Sequence, residues 1–421
     1  MLSFATKTIE EITDILIDYR GKTPPKTTTG VNLITAKIIK DGFIVDGNYE
    51  YISEATYGNW MRRGLPKQWD ILVTTEAPLG EVAQLRTKER VALAQRVILL
   101  RGNPQIIDQR YYFYALRSSF VQGELKARSS GTTVFGIKQS ELRRVRIPYR
   151  RLPAQCKIGA ILSAYDDLIE NNLRRIKILE EMAQLIYREW FVNFHFPGHE
   201  NVRMVDSAMG PIPEGWKVRN VTDVPCFRFV CENVTPYEGV KKYFATADVR
   251  GIEIVGEGIT YTFEKKPSRA QKQPPVDSVW FARMKDTYKV LVFTDVNERW
   301  AKECMLSSGF AGFQASDRGW LGYLYCTIKS DAFHEEKNRY CTGATQMSLT
   351  NEGLERIQVL APAHRTAIAF NQLTAPAVNE ILVLQALNAV LRRTRDLLLP
   401  KLISGELDVS ELDINIGEEP G

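Results

Sequence analysis

The chain is poor in residues that carry out chemistry on their own. Four histidines and six cysteines are spread through 421 residues. No cysteine pair has the CxxC spacing, and the closest two are Cys226 and Cys231. Thiols scattered in this way read as small buried hydrophobes in a reducing compartment, which argues against a disulfide frame or a zinc site. His195 and His199 stand four apart, but Pro197 and Gly198 between them break the helix a histidine pair would need. A turn is expected there, and no metal site. No GxGxxG occurs. Arg20-Gly21-Lys22-Thr23 imitates the end of a phosphate loop, yet Leu16 stands where that loop requires its first glycine. The Asn-Pro-Pro-aromatic and Asp-Pro-Pro-Tyr tetrapeptides of amino-methyltransferases are missing too, so no catalysis is expected of this chain. No continuous apolar run approaches roughly 18 residues, so no membrane span is expected. The N-terminal stretch is acidic within its first dozen positions and lacks an apolar core, so it does not read as a signal peptide. The cytoplasm is the expected location.

What is present is length, a mild positive charge and a repeat. A chain of 421 residues suggests two or three domains. Hydrophobic content of 44% and charged content of 25% are those of a globular protein. The net charge of +5 permits a polyanion partner without demanding one. A shift of 212 positions brings the two halves into register. Phe4, Ile9 and Ile12 fall on Trp216, Val221 and Val224, and Thr23-Pro24 on Thr235-Pro236. Tyr111–Ser118 (YYFYALRS) falls on Tyr323–Ser330 (YLYCTIKS), and Gly131-Thr132-Thr133 on Gly343-Ala344-Thr345. Leu142 and Arg144 meet Leu354 and Arg356; Leu179 and Leu185 meet Leu391 and Leu397. Around residues 35–100 and 247–310 the copies barely match. Two domains with one scaffold and different reading surfaces would look like this.

Each copy runs from a globular stretch into a long helix. The expected boundaries are 1–153 and 214–362 for the globular parts, 154–193 and 363–405 for the helices, 194–213 for a linker and 406–421 for an acidic tail. In the first helix Leu162, Ile169, Ile176, Ala183 and Trp190 form one seven-residue line. Ile158, Tyr165, Leu179 and Ile186 form its companion, broken by Asn172. In the second, Phe370, Ala377, Leu384, Leu391 and Leu398 form one line; Ile381 and Leu402 lie on the other, broken by Asn388. A heptad seam of this length argues for a coiled coil. Roughly 38 residues at about 1.5 Å each make a rod near 57 Å. Antiparallel pairing would bring Asn172 to Asn388. Pro376 is expected to start or kink the second helix.

Basic residues are unevenly placed. Between Arg117 and Lys157 ten Lys/Arg face only Glu124 and Glu141. Candidates for DNA contact in the first copy are Arg20, Lys22, Arg62, Arg63, Lys67, Arg128, Ser130, Thr132, Thr133 and Lys138. In the second they are Lys265, Lys266, Arg269, Gln271, Lys272, Thr345 and Gln346. Cations and hydroxyls suit phosphates, while Arg and Gln can read base edges bidentately.

The run SSGTTVFGIKQSELRRVRIPYRRLPAQCKIGAILSAYDDLIENNLRRIKILEEMAQLIYREWF, its second version CTGATQMSLTNEGLERIQVLAPAHRTAIAF, the closing LLLPKLISGEL and the opening IDYRGKTPPKT together resemble the specificity subunits of type I restriction-modification systems. The resemblance covers nearly the whole chain and rests on order and duplication more than on any single motif. It implies an α+β fold: two pseudo-twofold related α/β target recognition domains separated by a pair of long antiparallel coiled-coil helices. It also implies that each domain reads half of a bipartite double-stranded DNA target, with two methyltransferase subunits docked on the helices and motor-nuclease subunits joining them. S-adenosylmethionine, ATP and magnesium would belong to those partners, and no cofactor or metal to this chain. Two departures from the pattern are Pro376 and His364, the latter standing where the first copy has Gln155. The alternatives are a recognition protein of another phage-defence assembly, a coiled-coil scaffold that does not bind DNA, and a nuclease with carboxylates gathered by the fold.

Overall fold

The computed structural model describes residues 5–19, 23–45 and 49–414. It divides into two compact units. The first joins residues 1–169 to 390–421, and the second is 170–389. The expected boundaries followed the chain, whereas the units cut through both long helices.

The two units are built alike. In the first, an antiparallel sheet runs in the order Thr13–Asp18, Val97–Gly102, Ile71–Thr75, Leu79–Gln84. In the second the order is Phe227–Phe229, Phe310–Ala315, Ser278–Ala282, Val290–Phe293. Apolar runs such as Ile71–Val73 and Val290–Phe293 form these strands because both faces are covered, and every one of their side chains is buried. Gly312 is required by a close approach, since a Cβ there would lie 2.3 Å from the fully buried Trp280 ring.

The repeated YYFYALRS and YLYCTIKS segments become the helices Gln109–Arg117 and Leu321–Lys329. Each ends at a serine whose hydroxyl caps the next helix, Ser118 accepting from Val121 N and Ser330 from Phe333 N. Tyr111 donates to Pro148 O, and its counterpart Tyr323 to Leu360 O. One tyrosine therefore ties the buried helix to the last strand in both units.

Around this shared scaffold the second sheets differ. The first unit has three strands, Glu50–Ile52, Val31–Ile34 and Val91–Leu93. The second has four, Ile259–Tyr261, Lys241–Phe244, Cys304–Ser307 and Ala270–Lys272. The extra strand lies in the region where the copies lose their likeness in sequence.

The long helices span Leu152–Phe191 and His364–Ser404. Pro153 sits in the first turn, where its missing N–H costs nothing. Pro376, expected to begin or kink the second helix, lies within a continuous helical segment. The helix carries the hydrogen bond lost at Pro376, as it does the one lost at Pro400 near its end, while neighbouring Thr374 and Val378 are buried beside Pro376. By length and composition alone this helix would pass for a membrane span, with a mean hydropathy of 1.3 over its most apolar 18 residues. A third of that stretch is buried, Val378, Ile381 and Leu384 among it, while Val383, Leu387 and Val390 are exposed. His364 opens this helix, its Nδ1 accepting from Trp320 Nε1 at 2.9 Å, as Gln155 near the start of the first helix accepts from Asp108 N at 2.9 Å. The departure at His364 is thus a different residue in an equivalent role.

Two segments are more ordered than their composition indicates. Phe196 and Ile212, in the stretch taken as a linker, are buried in the second unit's core. Val409, in the acidic tail, is buried in the first unit's core, and Lys157 Nζ donates to Ser410 O at 2.7 Å. Both turn back onto a domain because each carries an apolar residue at the right distance from its helix end.

One buried group makes stability depend on pH. His334 lies tilted against the Tyr288 ring at 4.4 Å, and burial, then the Lys337 and Lys329 cations, lower its pKa from 6.5 to about 4. The unfolded chain binds a proton below pH 6.5 that the folded ring refuses, so stability falls as pH drops from 6.5 towards 4. His334→Phe should lose this component, narrowing the difference in Tm between pH 7 and pH 5. An unchanged difference would show that other groups dominate.

Candidate nucleic-acid interface and helical pair

The seam positions come together as side chains within each unit. Leu162, Ile169, Ile176, Ala183 and Trp190 are all buried. In the second unit Asn172 Nδ2 donates to Asn388 Oδ1 at 2.9 Å, with both residues buried. Ile176, Ile381 and Leu384 pack beside them, with Leu179 half-buried against the group. Arg175 closes this stretch with Glu380 at 2.6 Å. Ile186 packs on the second unit's core. In the first unit Leu162 and Ile158 meet Leu399 and Leu402, with Leu398 partly buried against them, while Leu391 is half-buried. The helices run antiparallel in both units.

Asn388 Nδ2 is buried without a partner. Converting both asparagines to leucine should therefore raise the melting temperature, because two desolvated amides are exchanged for packing. The Asn388→Leu single variant should instead lose about 1–3 kcal/mol, since it strands Asn172. A double variant no more stable than the wild type would show that the buried amides cost the seam nothing.

Heptad reasoning missed a charged cluster in the first unit. Asp166 accepts from Tyr114 Oη at 2.5 Å, is ion-paired to Arg395 and lies 3.8 Å from Arg117. Asp166 is 1% exposed and Arg395 4%. Burial, then Arg395 itself, lower the pKa of Arg117. For Arg395 burial works against the charge, but the Asp166 and Asp396 carboxylates outweigh it and raise its pKa. A heptad pattern marks apolar positions only, so it carries no sign of a paired charge beside the seam.

The basic stretch is largely answered from within. Glu124 pairs with Arg146 at 2.7 Å and Arg128 at 3.3 Å; Glu141 pairs with Arg144 at 3.2 Å and Arg128 at 3.6 Å. Glu10, distant in sequence, takes Arg143 at 2.6 Å. Arg150 donates to Ser404 O. Lys126, Lys138 and Arg151 are exposed and make no ion pair among the described residues. Arg128, a candidate for DNA contact, is thus paired with two carboxylates. A surface pair of this kind is worth at most about 1 kcal/mol.

The other candidates in the first unit lie on two loops. Arg62 and Lys67 expose their side chains. Arg62 Nη2 donates to Asn59 Oδ1 at 3.0 Å, and Arg63 Nη1 to Asp18 O. The loop is held by buried Asp70, which accepts from Lys67 N at 2.7 Å and from both Nε and Nη2 of Arg101 at 2.6 Å. Ser130 and Gly136 exchange backbone hydrogen bonds of 2.9 Å, projecting exposed Thr132 and Thr133. Gly131, with φ +126°, allows the turn, since a Cβ would lie 2.1 Å from Val134 O. A groove of ≈ 480 Å³ beside this loop is lined by Gln95, Arg96, Ser130 and Lys138 among others. Arg20 and Lys22 lie outside the described residues.

In the second unit Gly343 takes φ +129° and projects exposed Thr345 and Gln346 in the same way. Lys265 and Arg269 are exposed. Lys266 Nζ donates to Ala270 O at 3.0 Å, and Gln271 Nε2 to Ser268 O at 2.9 Å. Lys272 does not belong with them. It is buried, and its Nζ donates to Cys231 O at 2.7 Å and Asn233 Oδ1 at 3.2 Å. Strand alternation turns it inward, and burial, then Arg283, lower its pKa. Missed by the sequence reading was an aromatic group on the same sheet. Tyr237, Tyr243, Tyr261 and Phe263 pack on Met305, with Lys241 5.1 Å from the Tyr237 ring.

Two units that share a scaffold and present polar loops beside dissimilar sheets are suited to binding a polymer at two places. Residues 3–181 match the family model described as type I restriction modification DNA specificity domain. The first part of the chain is therefore similar to such a specificity domain. The chain is also similar to the specificity subunit of type I restriction enzyme MjaIX from Methanocaldococcus jannaschii, 27% identical over 388 residues, covering 87% of this chain and 85% of that protein. The HindI specificity subunit of Haemophilus influenzae is 20% identical over 380 residues, covering 76% and 82%. Among solved structures, a type I restriction-modification S subunit from M. genitalium aligns with a TM-score of 0.53 at 15% identity, covering 95% of this chain and 96% of that one. That last likeness concerns the fold, which is α+β with two domains. The specificity-domain match ends inside the first long helix, and the second unit repeats the first unit's strand order.

Proposed function

We propose that this chain is the non-catalytic DNA-recognition subunit of a type I restriction-modification complex, each unit reading one half of a bipartite, asymmetric target. The observation that carries the reading is the pairing of four-stranded sheets of the same strand order with unlike second sheets. A shared scaffold grips what the half-sites have in common, the sugar-phosphate backbone, and the unlike sheets meet what differs, the bases. Phosphate contacts fall to exposed Lys138, Thr132 and Thr133 in the first unit and to Lys265, Arg269 and Thr345 in the second. The helices serve as the spacer and as the dock for methyltransferase subunits. In support of docking, Ile178 and Leu185 of the second unit are 54% and 56% exposed, and Val390 and Leu397, which follow them at the repeat shift, are 61% and 60% exposed in the first. Such repeated apolar positions suit two copies of one apolar partner surface. S-adenosylmethionine, ATP and magnesium are assigned to partner subunits.

Deleting the gene should abolish one bipartite, asymmetric adenine-methylation motif from the methylome of the source cell. Binding of the purified complex to duplexes carrying that motif should weaken steeply with salt, about 10³-fold or more between 50 and 200 mM for six or more phosphate contacts. A methylome unaltered by the deletion would sink the proposal.

A further inference from the structure

We infer that base preference in the second half-site is set by the cation-rimmed aromatic face of the four-stranded sheet around Tyr243 and Tyr261, an inference that rests on the recognition role proposed above. What the units share cannot discriminate one half-site from the other, so discrimination must come from what they do not share. The largest difference is this sheet, with the added strand Ala270–Lys272. On one of its faces the neighbouring strands carry Tyr243 and Tyr261, which meet edge to face at 6.4 Å, and Ile259, which is 61% exposed. Tyr243 lies opposite Ile259 in the strand register. Tyr237 is fixed by donating its hydroxyl proton to Tyr261 O at 3.0 Å, and Phe263 lies edge-on to it at 5.6 Å.

The face is braced from beneath and open above. Val234, Ala270 and Met305 are buried under the rings, which are themselves only partly covered. Lys272, the lysine turned inward, holds the 231–233 turn by three acceptors, Cys231 O, Glu232 O and Asn233 Oδ1. Around the rim stand Lys266, 5.3 Å from the Phe263 ring, and the exposed Lys265 and Arg269. Apolar and aromatic surface suits thymine methyl groups and base faces, while the surrounding cations hold the flanking phosphates. The corresponding first-unit strands set fully buried Leu33 opposite Glu50, which is ion-paired to Lys26 at 2.8 Å, where the second unit has half-buried Tyr243 opposite exposed Ile259. A buried leucine beside a paired carboxylate and a partly open pair of tyrosines differ in shape and hydrogen-bonding capacity, so the two sheets call for different bases.

The test is selection from duplexes randomised over both half-sites, using the complete complex with wild-type chain, with Ile259→Ala and with Tyr261→Ala. The wild type should return a motif of two blocks. Each variant should lose base preference by at least tenfold at one or more positions of a single block and keep the other block intact, which also shows that the chain remains folded. Lys265→Ala, removing a rim cation, should weaken binding to all sequences about equally and reduce the salt slope by about one. Variants that keep both blocks unchanged would overturn the inference while leaving the recognition role standing, and so would loss of preference in both blocks. A wild-type complex that selects no motif at all would overturn the recognition role and the inference with it.

Discussion

Asp166→Ala should destabilise the first unit by about 3–5 kcal/mol, the cost of breaking a buried ion pair from one side. The carboxylate is 1% exposed and answers Arg395 and the Tyr114 hydroxyl, with Arg117 3.8 Å away. Its removal leaves the guanidinium of Arg395 in the helix pair with only Asp396, which is largely exposed, at 2.8 Å. It also takes the nearest anion from Arg117, whose Nη1 already lacks a hydrogen-bond partner. In the second unit Ala183 and Val378 stand where the repeat shift would place Arg395 and Asp166, so the effect should be confined to the first unit. Unfolding followed by hydrogen exchange should show the first unit opening earlier, with the second unit's amides unaffected. Pairing Asp166→Ala with Arg395→Leu should recover much of the loss, because two buried charges are then removed together. A single variant within about 1 kcal/mol of wild type would mean that the network contributes nothing net.

Exchanging residues 1–153 for the equivalent segment of a related specificity subunit should change one half of the DNA target and leave the other as it was. The expected effect is large, since specific sites are commonly bound 10³-fold or more tighter than others. The junction matters physically. Gln155 donates to Ile106 O and Arg150 O, and Val409 packs into the first unit's core. A graft that ignores these contacts will fail for reasons of packing, so the incoming segment must retain an equivalent 106–108 turn. Selection from randomised duplexes with the chimaeric complex reads the result. A change in both halves of the target would refute modular reading.

Much of the architecture could be read from the chain because it depends on patterns that repeat. Period-seven apolar positions can be buried only along one seam, so Leu162 to Trp190 announced a paired helix without reference to its partner. A second copy of YYFYALRS at a fixed shift announced a second domain. Pro376 misled because propensity is a local quantity, whereas a helix of 41 residues packed along its length can carry the hydrogen bonds missing at Pro376 and Pro400. The supposed linker and tail misled for the same reason: Phe196 and Val409 outweigh their polar neighbours once a core is within reach.

The interface was harder to read. Counting ten cations against two acids between Arg117 and Lys157 took no account of Glu10 and Asp166, which are remote in sequence and adjacent in space. Lys272 and Lys265 are the same residue type seven positions apart, yet one cages three acceptors indoors and the other faces solvent.

The chain by itself determined the duplication, the heptad seam, the meeting positions Asn172 and Asn388, and the placement of divergence within each copy, because these follow from periodicity and identity along one dimension. Tertiary structure alone decided which cations are spent on internal acceptors, how the chain's two ends join one unit, and that Tyr243, Tyr261 and Ile259 share a face. Those outcomes depend on distances between residues far apart in sequence, and an electrostatic or packing partner has no position in the sequence until the chain has folded.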